Sequence, residues 1–339
     1  MTACTRIVLA RRPKGDPGPQ DFRLETADLP APAPGEMLLR TIWLSLDPYM
    51  RGRMNEGPSY SAPVELGHVM TGQVVAEVMD SNRDGFAPGD LVLAMSGWTS
   101  HAISDGKEVR RIDPALAPVS TALGVLGMPG QTAWIGLNDI LKVQSGETIV
   151  IGAATGAVGT LAGQLAKRAG LKVVGIAGGA EKCALAVENL GYDICLDHRD
   201  PDLAAELATL TPQGVDCYFE NVGGKVLEAV LPRMNLHGRI AVCGMVAWYS
   251  GQGMAEAMPL PKLWRTVLVK RLRIEGFLVF DRPERHKPFL AEVGPLVREG
   301  AIFYRETVAE GLEAAPEAFM AMLKGGNFGK QLVRVGPDP

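Results

Sequence analysis

The chain has 339 residues, 47% of them hydrophobic and 21% charged, with a formal net charge of −4 at pH 7. These values fit a soluble globular protein of about two ordinary domains. An acidic balance without any basic run excludes a nucleic-acid surface, and no apolar run approaches the roughly twenty residues that cross a bilayer.

The N-terminal MTACTRIVLARRP lacks a long apolar stretch followed by a small-residue cleavage site, so no signal peptide is expected. Residues 1 to about 35 carry Pro13, Pro17, Pro19, Pro30, Pro32 and Pro34 with little helical periodicity. Strand-like runs follow over 36–45, 71–78 and 90–94, the last entered from Pro88-Gly89. Short strands punctuated by Pro and Gly predict a small β-rich domain.

From about residue 125 the pattern changes to alternating β and α. Strands are expected over 148–152, 171–177, 192–197, 215–220, 238–244 and 272–279. After the first of them, Val158, Leu161, Ala162, Leu165 and Ala166 recur at the spacing of one helical face. Near-continuous apolar strands fit a parallel sheet covered on both sides. The expectation is an α/β fold, a doubly wound parallel sheet of Rossmann type beside a β-rich domain. After residue 300 come Phe303–Val308, a helix over 311–324 and a last strand over 329–335, which can return to the N-terminal β domain. The domains expected are therefore 1–125 completed by 300–339, and 126–299.

Five cysteines, Cys4, Cys183, Cys195, Cys217 and Cys243, show no short spacing. Cys195, Cys217 and Cys243 lie in apolar strand-like runs and read as buried, reduced thiols of a cytoplasmic protein.

The stretch Thr148 to Gly159 joins a β-branched strand to a helix through Ala153-Ala154-Thr155-Gly156-Ala157-Val158-Gly159. A pyrophosphate needs bare backbone N–H groups at a helix N-terminus, where the dipole favours it and a Cβ would obstruct it. Ala154 stands where the first glycine of the usual fingerprint falls. The second strand ends Ala177-Gly178-Gly179, without the carboxylate that takes a ribose 2′-hydroxyl, and Glu181 and Lys182 follow. That pattern favours the 2′-phosphate of NADP; the alternative is a solvated first helical turn.

Metal ligands are sparse. No Cys-x-x-Cys occurs, His68 has no cysteine or carboxylate beside it, and Asp47 is the only potential ligand in Leu46-Asp47-Pro48-Tyr49. No metal site is expected, and alcohol dehydrogenation then loses its usual electrophile. Hydride transfer without a metal suits an activated alkene, whose β-carbon accepts hydride while charge gathers on the carbonyl oxygen. Tyrosine can donate to that oxygen. Tyr249, just past the fifth parallel strand, and Tyr49 in the β domain are the candidates, and ligand binding at the carboxyl ends of parallel strands favours Tyr249.

Four motifs in order, Leu44 to Met54, Ala153 to Gly159, Phe219 to Gly224 and Leu323 to Lys330, resemble the zinc-independent medium-chain dehydrogenases/reductases of the prostaglandin reductase and alkenal double-bond reductase group. The resemblance spans essentially the whole chain. It implies a GroES-like β domain built from both chain ends, a Rossmann domain, NADPH as hydride donor and α,β-unsaturated aldehydes or ketones as substrates. By motif, Gly156, Ala157, Val158 and Gly159 would line the pyrophosphate and Lys182 the 2′-phosphate. Asn221, Cys243, Gly244, Met245, Val246 and Tyr249 would line the nicotinamide half. Phe277, Leu278 and Val279 would contact it through backbone, and Asn327 would reach the cofactor from the C-terminal segment. Tyr249 matches the tyrosine proposed to bind the substrate carbonyl. Relatives place a tyrosine after the third parallel strand; here His198 stands there, with Arg199 beside it. The resemblance also implies a homodimer through the edge of the Rossmann sheet.

Two alternatives stay open: a quinone reductase of the same superfamily, and a non-catalytic NADPH-binding protein. Residues 247–265, rich in Gly, Met and Pro, suggest a mobile, adaptable wall of an apolar substrate pocket.

Overall fold

A computed structural model describes residues 1–338. The chain divides into two compact units, Met1–Gly124 with Glu306–Pro339, and Val125–Arg305. The first unit opens with β1 (Thr2–Leu9), β2 (Phe22–Leu29), β3 (Met37–Ser45), α1 (Tyr49–Arg53), β4 (Val74–Ser81), β5 (Leu91–Ala94), β6 (His101–Ser104) and β7 (Arg110–Arg111). The second begins with α2 (Met128–Ile135), β8 (Thr148–Gly152), α3 (Ala157–Arg168), β9 (Lys172–Ala177), α4 (Ala180–Asn189) and β10 (Ile194–Asp197). It continues through α5 (Leu203–Leu210), β11 (Val215–Glu220), α6 (Gly224–Val230), β12 (Met234–Val242), α7 (Leu260–Lys270), β13 (Arg273–Gly276) and α8 (His286–Arg298). The chain then re-enters the first unit with β14 (Glu306–Glu310), α9 (Ala315–Leu323) and β15 (Lys330–Arg334).

Three segments depart from the sequence reading. Residues 1–35 contain β1 and β2, paired antiparallel from Thr2↔Leu29 to Leu9↔Phe22. Their prolines fall between and after the strands, so they bound a ladder rather than interrupt one. β12 starts at Met234, earlier than expected, because Asn235-Leu236-His237-Gly238 looks like a turn; His237 is indeed left-handed at φ 62° where the pairing with β11 shifts register. β13 ends at Gly276, so Phe277 to Val279 lie beyond the strand.

The sheet of the first unit runs β14-β15-β3-β4-β5-β7, with β6 also paired to β3; its pairs are antiparallel except β14 and β15, which run parallel. Its core includes Phe22 stacked on Trp98 at 5.5 Å, with Phe319 from α9 edge-on to both. Such aromatic pairs add about 0.5–1.5 kcal/mol beyond area burial. Beside this core lies a buried ion pair. Lys330 Nζ at the start of β15 donates to Asp47 Oδ1 at 2.6 Å and to the Leu46 carbonyl at 2.6 Å, while Ser45 Oγ donates to Asp47 Oδ2. Burial pulls the Lys330 ammonium below its ordinary range, and the charges of Asp47 and Glu306 oppose that.

The second unit holds a six-stranded parallel sheet in the order β10-β9-β8-β11-β12-β13. Val150, Val174, Ile176, Tyr218 and Ile240 bury one face of it with Leu203 and Leu207 of α5. Strands β8, β9 and β10 step one way from the centre and β11 steps the other, so the topological switch point lies between β8 and β11. Ligands of open parallel sheets bind outside the strand ends at this crevice.

Replacing Lys330 with Met is expected to strand a buried carboxylate on Asp47 and to destabilise the first unit by about 3–5 kcal/mol. Urea denaturation checks this. Adding Asp47→Asn to the same chain should recover part of the loss.

Candidate functional site

The turn from β8 to α3 is built on close backbone approach. Ala153 is left-handed at φ 52°, the Gly156 N–H closes the turn on the Ala153 carbonyl at 2.9 Å, and Gly156 is the N-cap of α3. A Cβ at Gly159 would stand 2.3 Å from the Ala153 oxygen and 2.7 Å from the Ala154 oxygen, so only glycine lets the helix start so near the strand. Ala154 is tolerated because β9 carries Gly175 opposite it: a Cβ there would lie 2.9 Å from the Ala154 methyl. The missing first glycine has been moved to the neighbouring strand. Buried Tyr192 secures the arrangement, its hydroxyl donating to the Gly159 carbonyl at 2.8 Å. On the outer side a Cβ at Gly156 would meet nothing but Ala153 within 4 Å. Bare N–H groups at the start of α3, with the positive dipole end behind them, make a cradle that fits a pyrophosphate.

The ends of β9 and β10 gather positive charge. Gly178 and Gly179 follow β9, and Gly179, left-handed at φ 96°, caps α4. His198 and Arg199 lie across these glycines: a Cβ at Gly178 would come 2.8 Å from His198 Nε2 and one at Gly179 would come 3.1 Å from Arg199 Nη1. Burial first, then the Arg199 charge, lowers Lys182 in the first turn of α4. Asp197 Oδ1 accepts the N–H groups of Gly179 at 2.9 Å and Arg199 at 3.0 Å. No carboxylate closes β9 where a ribose 2′-hydroxyl would require one, and Lys182, Arg199 and the His198 imidazole lie together instead.

Across the switch point the loop after β11 is fixed to its neighbours. Asn221 Nδ2 donates to the Gly152 carbonyl of β8 at 2.8 Å, and the Asn221 carbonyl accepts the Val246 N–H at 3.2 Å. The Val222 carbonyl takes the Ala247 N–H at 2.9 Å. Glu220, almost wholly buried, ties both loops: its carbonyl accepts the N–H groups of Cys243 and Gly244, and its Oε1 accepts those of Val222 and Gly223. Burial holds the Glu220 carboxyl above its ordinary value of 4.5, with the Val222 and Gly223 N–H groups opposing. Burial, then the Glu220 charge, pushes the Cys243 thiol up to about 12. Trp248 lies over Gly223, where a Cβ would be 2.6 Å from its ring.

Tyr249 closes the short helical turn Val246–Trp248, and the Met245 N–H reaches its hydroxyl at 3.4 Å. A Cβ at Gly244 would be 3.1 Å from that hydroxyl, so the phenol turns back over the loop beyond β12. Past β13 the Phe277 ring meets Phe219 edge-on at 6.3 Å, Leu278 is extended, and Val279 begins a helical turn.

The structure thus gathers Gly156 to Gly159, Lys182, His198, Asn221, Cys243 to Val246, Tyr249 and Phe277 to Val279 at the carboxyl ends of one parallel sheet. Tyr49 and Asn327 belong to the other unit. Tyr49 packs on that unit's core, and burial followed by the Asp47 charge holds its phenol well above the usual range. Asn327 Nδ2 donates to the Gly329 carbonyl at 2.9 Å. His68 is exposed, 3.6 Å from Glu65, and among the described residues no group of three or more His, Cys, Asp or Glu could hold a metal ion. All five cysteines are unpaired; Cys4 and Cys217 are buried, whereas Cys195, in the edge strand β10, and Cys243, just past β12, are only partly so. Residues 247–265 run into α7, which begins at Leu260. Glu220 and Tyr192 were not legible as site builders, although a carboxylate closing the apolar run Cys217-Tyr218-Phe219 was a usable signal.

Two family models match the chain: one described as the N-terminal domain of oxidoreductase over residues 5–112, and one described as zinc-binding dehydrogenase over residues 157–293. An NADPH-dependent curcumin reductase of Escherichia coli is 50% identical over 335 residues, covering 98% of this chain and 97% of that protein. Prostaglandin reductase 1 of Rattus norvegicus is 41% identical, covering 98% and 100%, and a 2-alkenal reductase (NADP(+)-dependent) of Nicotiana tabacum is 40% identical, covering 98% and 98%. The crystal structure of CurA from Vibrio vulnificus in complex with NADPH superposes with a TM-score of 0.94 at 46% identity, covering 98% of this chain and all of that one.

Glu220→Ala is expected to leave the Val222 and Gly223 N–H groups without their acceptor and to cost about 2–4 kcal/mol. Glu220→Gln keeps one acceptor oxygen and should lose less. Since the folded carboxyl is raised, its contribution to stability is full below the ordinary value and falls as pH rises through the folded one. Thermal melts from pH 5 to 8 should show a downward slope in the parent that the Gln variant lacks.

Proposed function

The chain belongs to the medium-chain dehydrogenase/reductase family, and from that premise we propose that it reduces the carbon–carbon double bond of α,β-unsaturated aldehydes or ketones with NADPH. The observation that carries this reading is the placement of Tyr249 by the interlocked loops after β11 and β12, at the carboxyl edge of a sheet whose β8 turn fits a pyrophosphate. The curcumin and 2-alkenal reductases among its full-length relatives support the same chemistry.

The parallel-sheet unit is read as the nucleotide domain and the β-rich unit as the substrate domain. Gly156, Ala157, Val158 and Gly159 hold the pyrophosphate through backbone N–H groups, and Lys182 takes the 2′-phosphate. Asn221, Cys243 to Val246 and Phe277 to Val279 line the nicotinamide half. NADPH, when bound, would supply the hydride to the substrate β-carbon, and a proton delivered to the α-carbon completes the reduction. Tyr249 donates its hydroxyl to the carbonyl oxygen, where negative charge develops, and so polarises the alkene. Cys243, held up to about 12, stays a neutral thiol and adds no competing charge or nucleophile.

The exposed surface supports a homodimer. β13 is an edge strand, and α7 presents Leu260, Trp264 and Leu268 at 59%, 59% and 76% exposure along one stripe. Antiparallel pairing of two β13 strands about Ile274 sets Arg273 of one copy opposite Glu275 of the other, a self-complementary edge. The five unpaired thiols support a reducing, cytoplasmic setting.

Tyr249→Phe is expected to lower kcat/KM on a C9 enal by about 10²–10³, the usual effect of removing one oxyanion donor. NADPH oxidation with the enal, with a quinone and with no substrate checks the reaction class: turnover of the quinone alone would replace enal reduction by quinone reduction. Trp264→Glu with Leu268→Glu should shift light scattering toward a monomer.

A further inference from the structure

Gly223 stands in the Phe219–Gly224 motif and has no side chain to offer a cofactor or an acceptor. It is left-handed, with φ 78° and ψ −158°, and caps α6. Its N–H donates to Glu220 Oε1 at 2.9 Å, which fixes its backbone to a buried residue. Against its bare Cα lies the benzene half of the Trp248 indole. A Cβ at Gly223 would be 2.6 Å from Cζ3, 2.8 Å from Cε3 and 3.0 Å from Cη2 of that ring. Only glycine leaves the seat open.

Trp248 immediately precedes Tyr249. The two residues before it are tied to the loop after β11, Val246 through the Asn221 carbonyl and Ala247 through the Val222 carbonyl. From Trp248 onward the backbone bonds turn back on their own loop. The Trp248 N–H donates to the Met245 carbonyl at 3.0 Å, the Tyr249 N–H to Val246 at 3.4 Å and the Gly251 N–H to Trp248 at 2.9 Å. Beyond lie Gly251 and Gly253, both left-handed, and the exposed Met254. Glycines of this kind give a segment little stiffness of its own.

We propose that Trp248 is a positioning residue for the carbonyl donor: its indole, seated on Gly223, fixes the Val246–Trp248 turn and thereby aims the Tyr249 hydroxyl. The inference rests on the reading of Tyr249 as that donor and adds what holds it in place.

The lever is the turn itself. Three residues complete one circle of a 3-10 turn, so successive side chains leave its axis about 120° apart. The Trp248 ring goes to Gly223, while the Tyr249 phenol goes back over Gly244 to the Met245 N–H. Because the turn closes on its own hydrogen bonds, rolling one side chain rolls the other. An indole resists that motion well, since it offers a large rigid contact with only two rotatable bonds. The stake is high, because misplacing a reacting group by about 1 Å can cost about a hundredfold in rate. Glu220, Gly223, Trp248 and Tyr249 thus form one line of contacts from the buried carboxylate to the phenol.

Steady-state NADPH oxidation by the full-length protein with a C9 enal tests this through a double-mutant cycle. Trp248→Ala should lower kcat about ten- to a hundredfold, with KM for NADPH within about twofold of the parent. Trp248→Phe keeps a flat ring for Gly223 and should recover most of the loss. In a Tyr249→Phe chain, whose donor is already gone, Trp248→Ala should cost no more than about a further twofold. A ring that merely stabilised the fold would lower the rate equally in both backgrounds. Trp248→Leu gives the same comparison should the Ala chain not fold. The proposal is overturned, with the donor reading intact, if Tyr249→Phe loses turnover while removing the indole leaves kcat unchanged. A loss from Trp248→Ala that multiplies in full with that of Tyr249→Phe overturns it equally. If Tyr249→Phe alone keeps full turnover, the donor reading fails and the inference falls with it.

Discussion

Where parallel strands end, their last backbone groups lose partners, and something must hold the loops that follow. In the parallel-sheet half of this protein that task falls on Glu220. One buried residue uses its carbonyl to catch the start of the segment after β12 and its carboxylate to catch the loop after β11. Water would do neither in a site that must stay dry for charge on a substrate oxygen to be felt. The positions of Asn221, Cys243 and Tyr249 all descend from this residue. Its elevated carboxyl measures what burial there costs.

The dinucleotide turn follows the same logic of close approach. Steric room removed at one residue is restored at another: Ala154 carries a methyl, Gly175 lacks one, and Tyr192 fills the remaining space while donating to a turn carbonyl. A fingerprint read along one strand therefore looks defective, yet across two strands it is whole. Gly159 has no such substitute, because two carbonyl oxygens occupy the place of its side chain.

The legible parts of the sequence were those governed by local period. β8 and α3 stand where apolar alternation and helical spacing put them, and β11 matches to the residue. The hairpin β1–β2 escaped because proline density overshadowed its strand pattern, and the early start of β12 because its first residues resemble a turn. For the site, Gly156, Gly159, Lys182 and Asn221 carried their own signals in glycine spacing and motif. The close approach of Arg199 to Gly178 and Gly179 was visible only in the folded turn. Asp47 and Lys330 are 283 residues apart, and no spacing rule joins them.

That pair has a bearing on how the chain is made. Synthesis runs from the N-terminus, and domains generally fold as units while the chain emerges. Residues 125–305 form a continuous unit, complete before β15 exists. The first unit waits: β3 lacks its neighbour β15, and Asp47 lacks the ammonium that neutralises it, until β15 is made. The unit that starts first finishes last. In the interval an unpaired strand edge and a lone carboxylate keep the β-rich half from closing early, and they leave it the half exposed longest to chaperones and to misassociation.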